Sequence, residues 1–181
     1  MRIFLLSLAS LMFLGCAKDS GTSTGNPLVA LKFDSFTSTL ALKTGDVGTE
    51  AVSSLKLCFK RLRFKLANTT AEDEVDFYLG DVTISNLGTD LGSINLPIGT
   101  YDRVEFDLDE DCPSTKSIQL VNSSGSFSTT DRISIRFDGT FTHTGSSDVL
   151  GMSIQQIVDS LNTVTNSSQL KAKAEGASGS F

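Results

Sequence analysis

The sequence is short of the groups that most enzymes use. His143 is its only histidine, which excludes any multi-histidine metal centre. No G-x-S-x-G stretch marks a nucleophile elbow, and Ser114-Thr115-Lys116 lacks the S-x-x-K spacing of serine–lysine acylating enzymes. A Ser-His-Asp relay would have to pass through His143, which ends an alternating run and is followed by turn-forming residues. That placing reads as a surface histidine. Basic residues are scarce too: 15 against 21 acidic, a formal net charge of −6. Nucleic-acid recognition needs a basic footprint, so that class is excluded. Long apolar runs are also missing. The run at residues 3–14 is broken only by Ser7 and Ser10 and falls short of the roughly 20 residues that span a bilayer.

What is present at the start is an export-type segment. Arg2 gives a short positive beginning, residues 3–14 form the apolar core, and residues 17–26 (AKDSGTSTGN) are small and polar, so nothing stops transfer. Phe13-Leu14-Gly15-Cys16 resembles the bacterial lipobox, in which an aliphatic and a small residue precede a cysteine that becomes lipidated and N-terminal. The resemblance implies cleavage after residue 15 and lipidation at Cys16. The alternative is an ordinary signal peptide with Cys16 left as a thiol or disulfide partner. Removing residues 1–15 leaves 166 of 181, one domain by size, able to bury about 68–70% of its unfolded surface. Only Arg2 is lost from the charge count, so 14 basic residues face 21 acidic and the mature net charge is −7. Attachment would therefore come from acyl chains, at about 0.8 kcal/mol per buried CH₂, and not from a basic patch on anionic lipid. Residues 16–27 then read as a lipidated tether, its Gly/Ser/Thr-rich part reaching about 18 Å. Lipidation of Cys16 would leave Cys58 and Cys112 as a pair in an oxidising compartment, closing a loop of about 53 residues.

Beyond Pro27 the chain alternates as half-buried strands do. Strand-like runs fall at residues 28–33 (LVALKF), 36–43, 55–66 (LKLCFKRLRFKL), 75–79, 81–87, 93–97, 101–108 (YDRVEFDL) and 132–143 (RISIRFDGTFTH). Within residues 55–66 the apolar parity slips from Leu57 and Phe59 to Leu62, Phe64 and Leu66, which a β-bulge at Lys60-Arg61 would explain. One segment has a different period. Ser153 with Gln156 has the form of a capping box, and Ile154, Ile157, Val158, Leu161 and Val164 recur at helical spacing. An amphipathic helix over residues 154–164 is expected, packed on the strands. The domain is expected to occupy residues 28–170, with residues 171–181 a flexible tail.

Three groups of residues could carry chemistry. Asp107, Asp109 and Asp111 have the odd spacing of a calcium loop's first ligands, but Cys112 and Ile118 stand where an EF-hand needs Gly and Glu. A looser calcium site with Glu110 or Asp102 is the alternative to a solvated acidic face; no other metal site and no cofactor is expected. Lys56, Lys60, Arg61, Arg63 and Lys65, interleaved with Phe59 and Phe64, make the one basic stretch. It is expected to pair with an acidic strand, YDRVEFDLDED above all, or else to contact polysaccharide or lipid A phosphate. Cys112 shares the parity of Val104, Phe106 and Leu108, which places the Cys58–Cys112 bond across the sandwich if that strand persists.

The stretch LPIGTYDRVEFDL resembles the L-P-x-G-x-Y motif of transthyretin-like sandwiches, which recurs in uncharacterised bacterial lipoprotein domains and in some surface and fimbrial proteins. The resemblance covers residues 28–143 by strand layout and residues 96–108 by motif. It implies that Pro97 and Gly99 shape a turn and that Tyr101 anchors the strand after it. It carries no catalytic residues. The fold expected is mainly β, an antiparallel transthyretin-like β-sandwich with one C-terminal amphipathic helix. The function expected is a non-enzymatic binding or structural module, lipid-anchored in the bacterial envelope, with an envelope protein or glycan as partner. Ala17 and Lys18 lack the Asp that resembles an inner-membrane retention signal, which favours the outer membrane. A fimbrial or adhesin-type subunit is the alternative, and a small envelope hydrolase the least supported.

Overall fold

The computed structural model describes residues 27–37, 52–70 and 72–181, with the side chains of residues 72–76 left aside. The apolar run at residues 3–14, expected to be a signal segment, Cys16 and most of the run at residues 36–43 lie outside the described residues. Among the described residues, ten strands and two short helices make a mainly β fold: β1 (Leu28–Phe33), β2 (Ser54–Leu66), β3 (Glu72–Thr83), β4 (Thr89–Asn95), β5 (Gly99–Leu108), β6 (Ile118–Asn122), β7 (Gly125–Thr129), β8 (Ile133–His143), β9 (Asp148–Met152), α1 (Gln155–Asn162), α2 (Leu170–Glu175) and β10 (Ser178–Ser180). They form two sheets. The smaller has the order β4-β1-β9; the larger runs β10-β8-β5-β2-β6-β7, with β3 also paired to β2. Most pairings are antiparallel, but β1–β9 and β10–β8 are parallel, so the sheets are mixed where an antiparallel arrangement was expected.

Strand β2 organises the larger sheet because it is long enough to serve three partners. Its first half pairs with β6 and its second half with β5, while β3 runs along its other edge. The bulge expected at Lys60-Arg61 is there: the registers with β3 and β5 both shift between Phe59 and Arg61. One extra residue restores Leu62 and Phe64 to the inner face already held by Leu55, Leu57 and Phe59, and all five are buried. Phe33 of β1 meets Phe59, Phe106 and Phe137 of the larger sheet at ring-centroid distances of 5.4–6.2 Å, so both sheets share one aromatic core. Each such ring buries roughly 150–250 Å² and dominates the packing.

The turn before β5 follows the L-P-x-G-x-Y pattern closely. Tyr101 is fully buried and its hydroxyl donates to the Pro97 carbonyl at 2.7 Å, satisfying the one polar atom it takes into the core. A Cβ at Gly99 would stand 3.0 Å from Leu66 Cδ2, tighter than an ordinary contact. A register shift between Tyr101 and Arg103 lets Tyr101 and Val104 face the core together.

The C-terminal end departs most from expectation. The helix is shorter, Gln155–Asn162, and its N-terminus has no side-chain cap. Ser153, read as the cap, instead bridges Ser180 through backbone hydrogen bonds in both directions. Residues 171–181 are not a loose tail. Leu170 and Ala174 of α2 are buried in the core, and β10 lies parallel to β8. SGS gives no hydrophobic signal because it is the absence of a side chain that works here: a Cβ at Gly179 would overlap the Phe137 ring and the Ser153 carbonyl. The expected run 75–79 and the first three residues of the run 81–87 join into β3 across Gly80, whose φ of +71° suits glycine, and the strand ends at Thr83. Among the described residues, no helix is long and apolar enough to cross a membrane.

Candidate functional site

The outer face of β2 carries the basic stretch, and its neighbours supply the carboxylates. Register places Arg61, Arg63 and Lys65 opposite Asp76, Glu74 and Glu72 of β3 on one side, and opposite Asp107, Glu105 and Arg103 of β5 on the other. Arg63 Nη2 donates to Asp107 Oδ1 and pairs with Glu105 Oε2, each at 2.9 Å. Lys65 meets Asp102 at 3.5 Å, and Lys60 pairs with Asp111. The pairing of basic strand with YDRVEFDLDED is therefore as expected, extended by a second acidic strand.

Asp107, Asp109 and Asp111 do not converge as calcium ligands. Strand β5 stops at Leu108, and each carboxylate turns to a different cation: Asp107 to Arg63, Asp109 to Arg132 Nε at 2.8 Å, and Asp111 to Lys60. Among the described residues no group of three acidic, cysteine or histidine ligands surrounds a common point. Asp109 is buried. Burial alone would raise its carboxyl, but the Glu110 N–H and the Arg132 guanidinium outweigh that and hold it below its ordinary range.

Cys58 and Cys112 are bonded, with Cα atoms 5.8 Å apart. The bond does not cross between sheets. Cys58 lies between Leu57 and Phe59 and so points to the outer face, where the loop at residues 109–117 covers it. The same loop is tied down by Ser114, whose N–H and hydroxyl both donate to Asp81, and by Tyr78, whose hydroxyl donates to the Asp111 carbonyl. The cystine thus clamps a loop onto β2 and β3 beside the ion pairs.

Next to this loop is an open cleft of about 500 Å³. Its floor is Lys60, Arg61 and Arg63 of β2 with Asp107 and Leu108 of β5; its walls are Asp109, Arg132, the start of β8, and Lys171 and Glu175 of α2. Helix α2 is fixed there by two contacts: Lys171 Nζ donates to the Arg132 carbonyl at 2.6 Å, and Glu175 accepts from the Ser134 N–H at 3.2 Å. Ser134 Oγ also donates to Asp107. Arg132, Ser134, Lys171 and Glu175 were not legible as site residues. The helix-forming LKAKAE, with Lys171 and Glu175 four apart, was the signal that α2 exists.

His143 is a correction. It is 1% exposed, not on the surface, and its Nδ1 lies 2.5 Å from Asp148 Oδ2. Hydrogen bonds from His143 and then from Ser146 hold the Asp148 carboxyl below its ordinary range. Ser146 bonds the carboxylate and not the imidazole, so the three residues do not form a serine–histidine–aspartate chain. Their arrangement closes the β8–β9 connection. Comparison with protein families, with curated proteins and with solved structures finds no match to this chain.

Proposed function

We propose that this chain is a lipid-anchored protein of the bacterial cell envelope whose transthyretin-like β-sandwich serves as a non-enzymatic binding module. The observation that carries the reading is the distribution of the three cysteines. Cys58 and Cys112 form a bond that belongs to an oxidising compartment, and the third, Cys16, ends an export-type apolar run at Leu14-Gly15. The two sheets packing on one aromatic core support the sandwich, and the Pro97–Tyr101 turn supports the transthyretin-like likeness. Against a hydrolase stands the enclosure of the one imidazole beside Asp148, with no serine bonded to it among the described residues.

Fractionation tests this reading. Wild-type protein should be recovered with membranes, and Cys16→Ser should shift it to the soluble fraction or leave it uncleaved. Non-reducing peptide mapping of the exported protein should recover the Cys58–Cys112 peptide pair. A soluble wild type with both cysteines reduced would end the envelope reading. Heat-resistant ladders on a gel would move the fimbrial subunit ahead of the monomeric module.

A further inference from the structure

We infer that the outer face of β1 and β9, at its Pro27 end, lies against the lipid bilayer that holds the chain's own anchor. The inference rests on the proposed lipidation of Cys16 and adds which face of the domain meets the membrane. Seven large apolar residues are exposed among the described residues, and three of them gather at this end: Leu28, Ile98 and Val149, at 53%, 65% and 59%. Burial alternates along β1, so Leu28, Ala30 and Lys32 face outward while Val29, Leu31 and Phe33 enter the core. Register sets Ala30 beside Val149 of β9, which shares that outer face because Leu150 and Met152 are the buried ones. Ile98 extends the patch past the start of β1. A Cβ at Gly145 would stand 3.0 Å from Ile98 and 3.8 Å from Pro27, so those two side chains lie close together.

Two observations name the occupant. The first is where the tether joins the domain. The Pro27 carbonyl accepts a hydrogen bond from the Leu96 N–H at 3.3 Å, which fixes that junction beside the turn at Pro97 and Ile98. Only residues 17–26 separate Cys16 from Pro27, and a fully extended chain of that length reaches no more than about 40 Å. A lipid on Cys16 therefore keeps the patch at high effective concentration over the bilayer, where a modest apolar contact is enough to orient the domain. The second observation is charge. The outer face of the larger sheet carries Arg61, Arg63, Lys65, Glu105 and Asp107, which would lose water against a bilayer. On the smaller sheet the ion pair of Lys32 with Asp34 sits over Gly151, at the other end of the face from Leu28. Asp148 adjoins Val149, but its carboxylate turns to His143 and Ser146.

The test uses the lipidated chain, purified from membranes and returned to phosphatidylcholine vesicles. The sequence has no tryptophan, so one placed by substitution reports alone. Ile98→Trp and Val149→Trp put it in the patch, and Val121→Trp, 37% exposed on β6 of the larger sheet, puts it outside. Vesicles with bromine on the acyl chains near the head group should quench the first two by roughly half, since an interfacial apolar face sits about 5–10 Å deep. Val121→Trp should keep its emission. Adding Val149→Asp to Ile98→Trp should restore most of the lost emission, while flotation with the vesicles, which the anchor provides, should not change. Equal quenching at all three positions, or none at Ile98 and Val149 in protein that floats, would overturn the docking and leave the anchor standing. Failure of the wild type to float would sink the anchor, and the docking with it. A dimer in detergent that Val149→Asp dissolves would give the patch to a second copy and overturn the bilayer reading.

Discussion

The two faces of β2 are built from the same thirteen residues and do different work. Inward, Leu55, Leu57, Phe59, Leu62 and Phe64 are buried to 1% exposure or less. Outward, Lys60, Arg61, Arg63 and Lys65 meet carboxylates from β5 and the loop after it in pairs that water reaches. Apolar burial contributes about 25 cal/mol per Å², whereas an exposed ion pair contributes about 0–1 kcal/mol. The inner face therefore holds the fold, and the outer face is free to vary in charge and to meet a ligand. The cystine sits at the boundary, pinning a loop onto the outer face.

That contrast sets an order of expected effects. Phe106→Ala removes a ring that touches Phe33, Phe59, Phe77 and Phe137, and should cost about 3–5 kcal/mol in denaturant unfolding. Cys58→Ser, or reduction, opens a crosslink with a sequence separation of 54; the chain-entropy scale puts the loss near 4 kcal/mol. Tyr101→Phe leaves the Pro97 carbonyl without its donor and should cost about 1 kcal/mol, with the strands otherwise kept. Lys65→Ala, on the outer face, should cost no more than about 1 kcal/mol, and less at high salt. A loss at Lys65 as large as at Phe106 would break the division between the faces.

Acid should sharpen the same comparison. Asp109 and Asp148 both have folded values below the ordinary 3.8. Each therefore contributes stability that is present above the unfolded value and is lost as pH falls through the lower, folded one. Melting temperature should hold constant from neutral pH to about 5 and fall below about 4. Asp109→Asn should flatten part of that fall, and an unchanged acid profile in this variant would show that the Arg132 pair has no part in it.

The elements legible in the sequence are those with a strong period. β1, β2 with its bulge, β5 and β8 follow from alternation, and the Tyr101 turn from its motif. The elements that were not legible have weak side-chain signals of their own. β6 and β7 are five residues each, β10 is SGS, and α2 is six residues whose place depends on Leu170 and Ala174 finding the core. His143 was misplaced because Asp148, its partner, comes from the next strand. The basic strand and its acidic neighbour were visible in the sequence; the cleft was not. It needs Arg132 and Lys171 brought together by a helix that periodicity over so few residues does not mark.

One mass spectrum tests the proposed lipid anchor at Cys16 most directly. The N-terminal peptide of protein isolated from its native cell should begin at Cys16 and carry the added mass of a diacylglyceryl group. An N-terminal peptide that begins elsewhere, or one that contains Cys16 unmodified, would contradict the account.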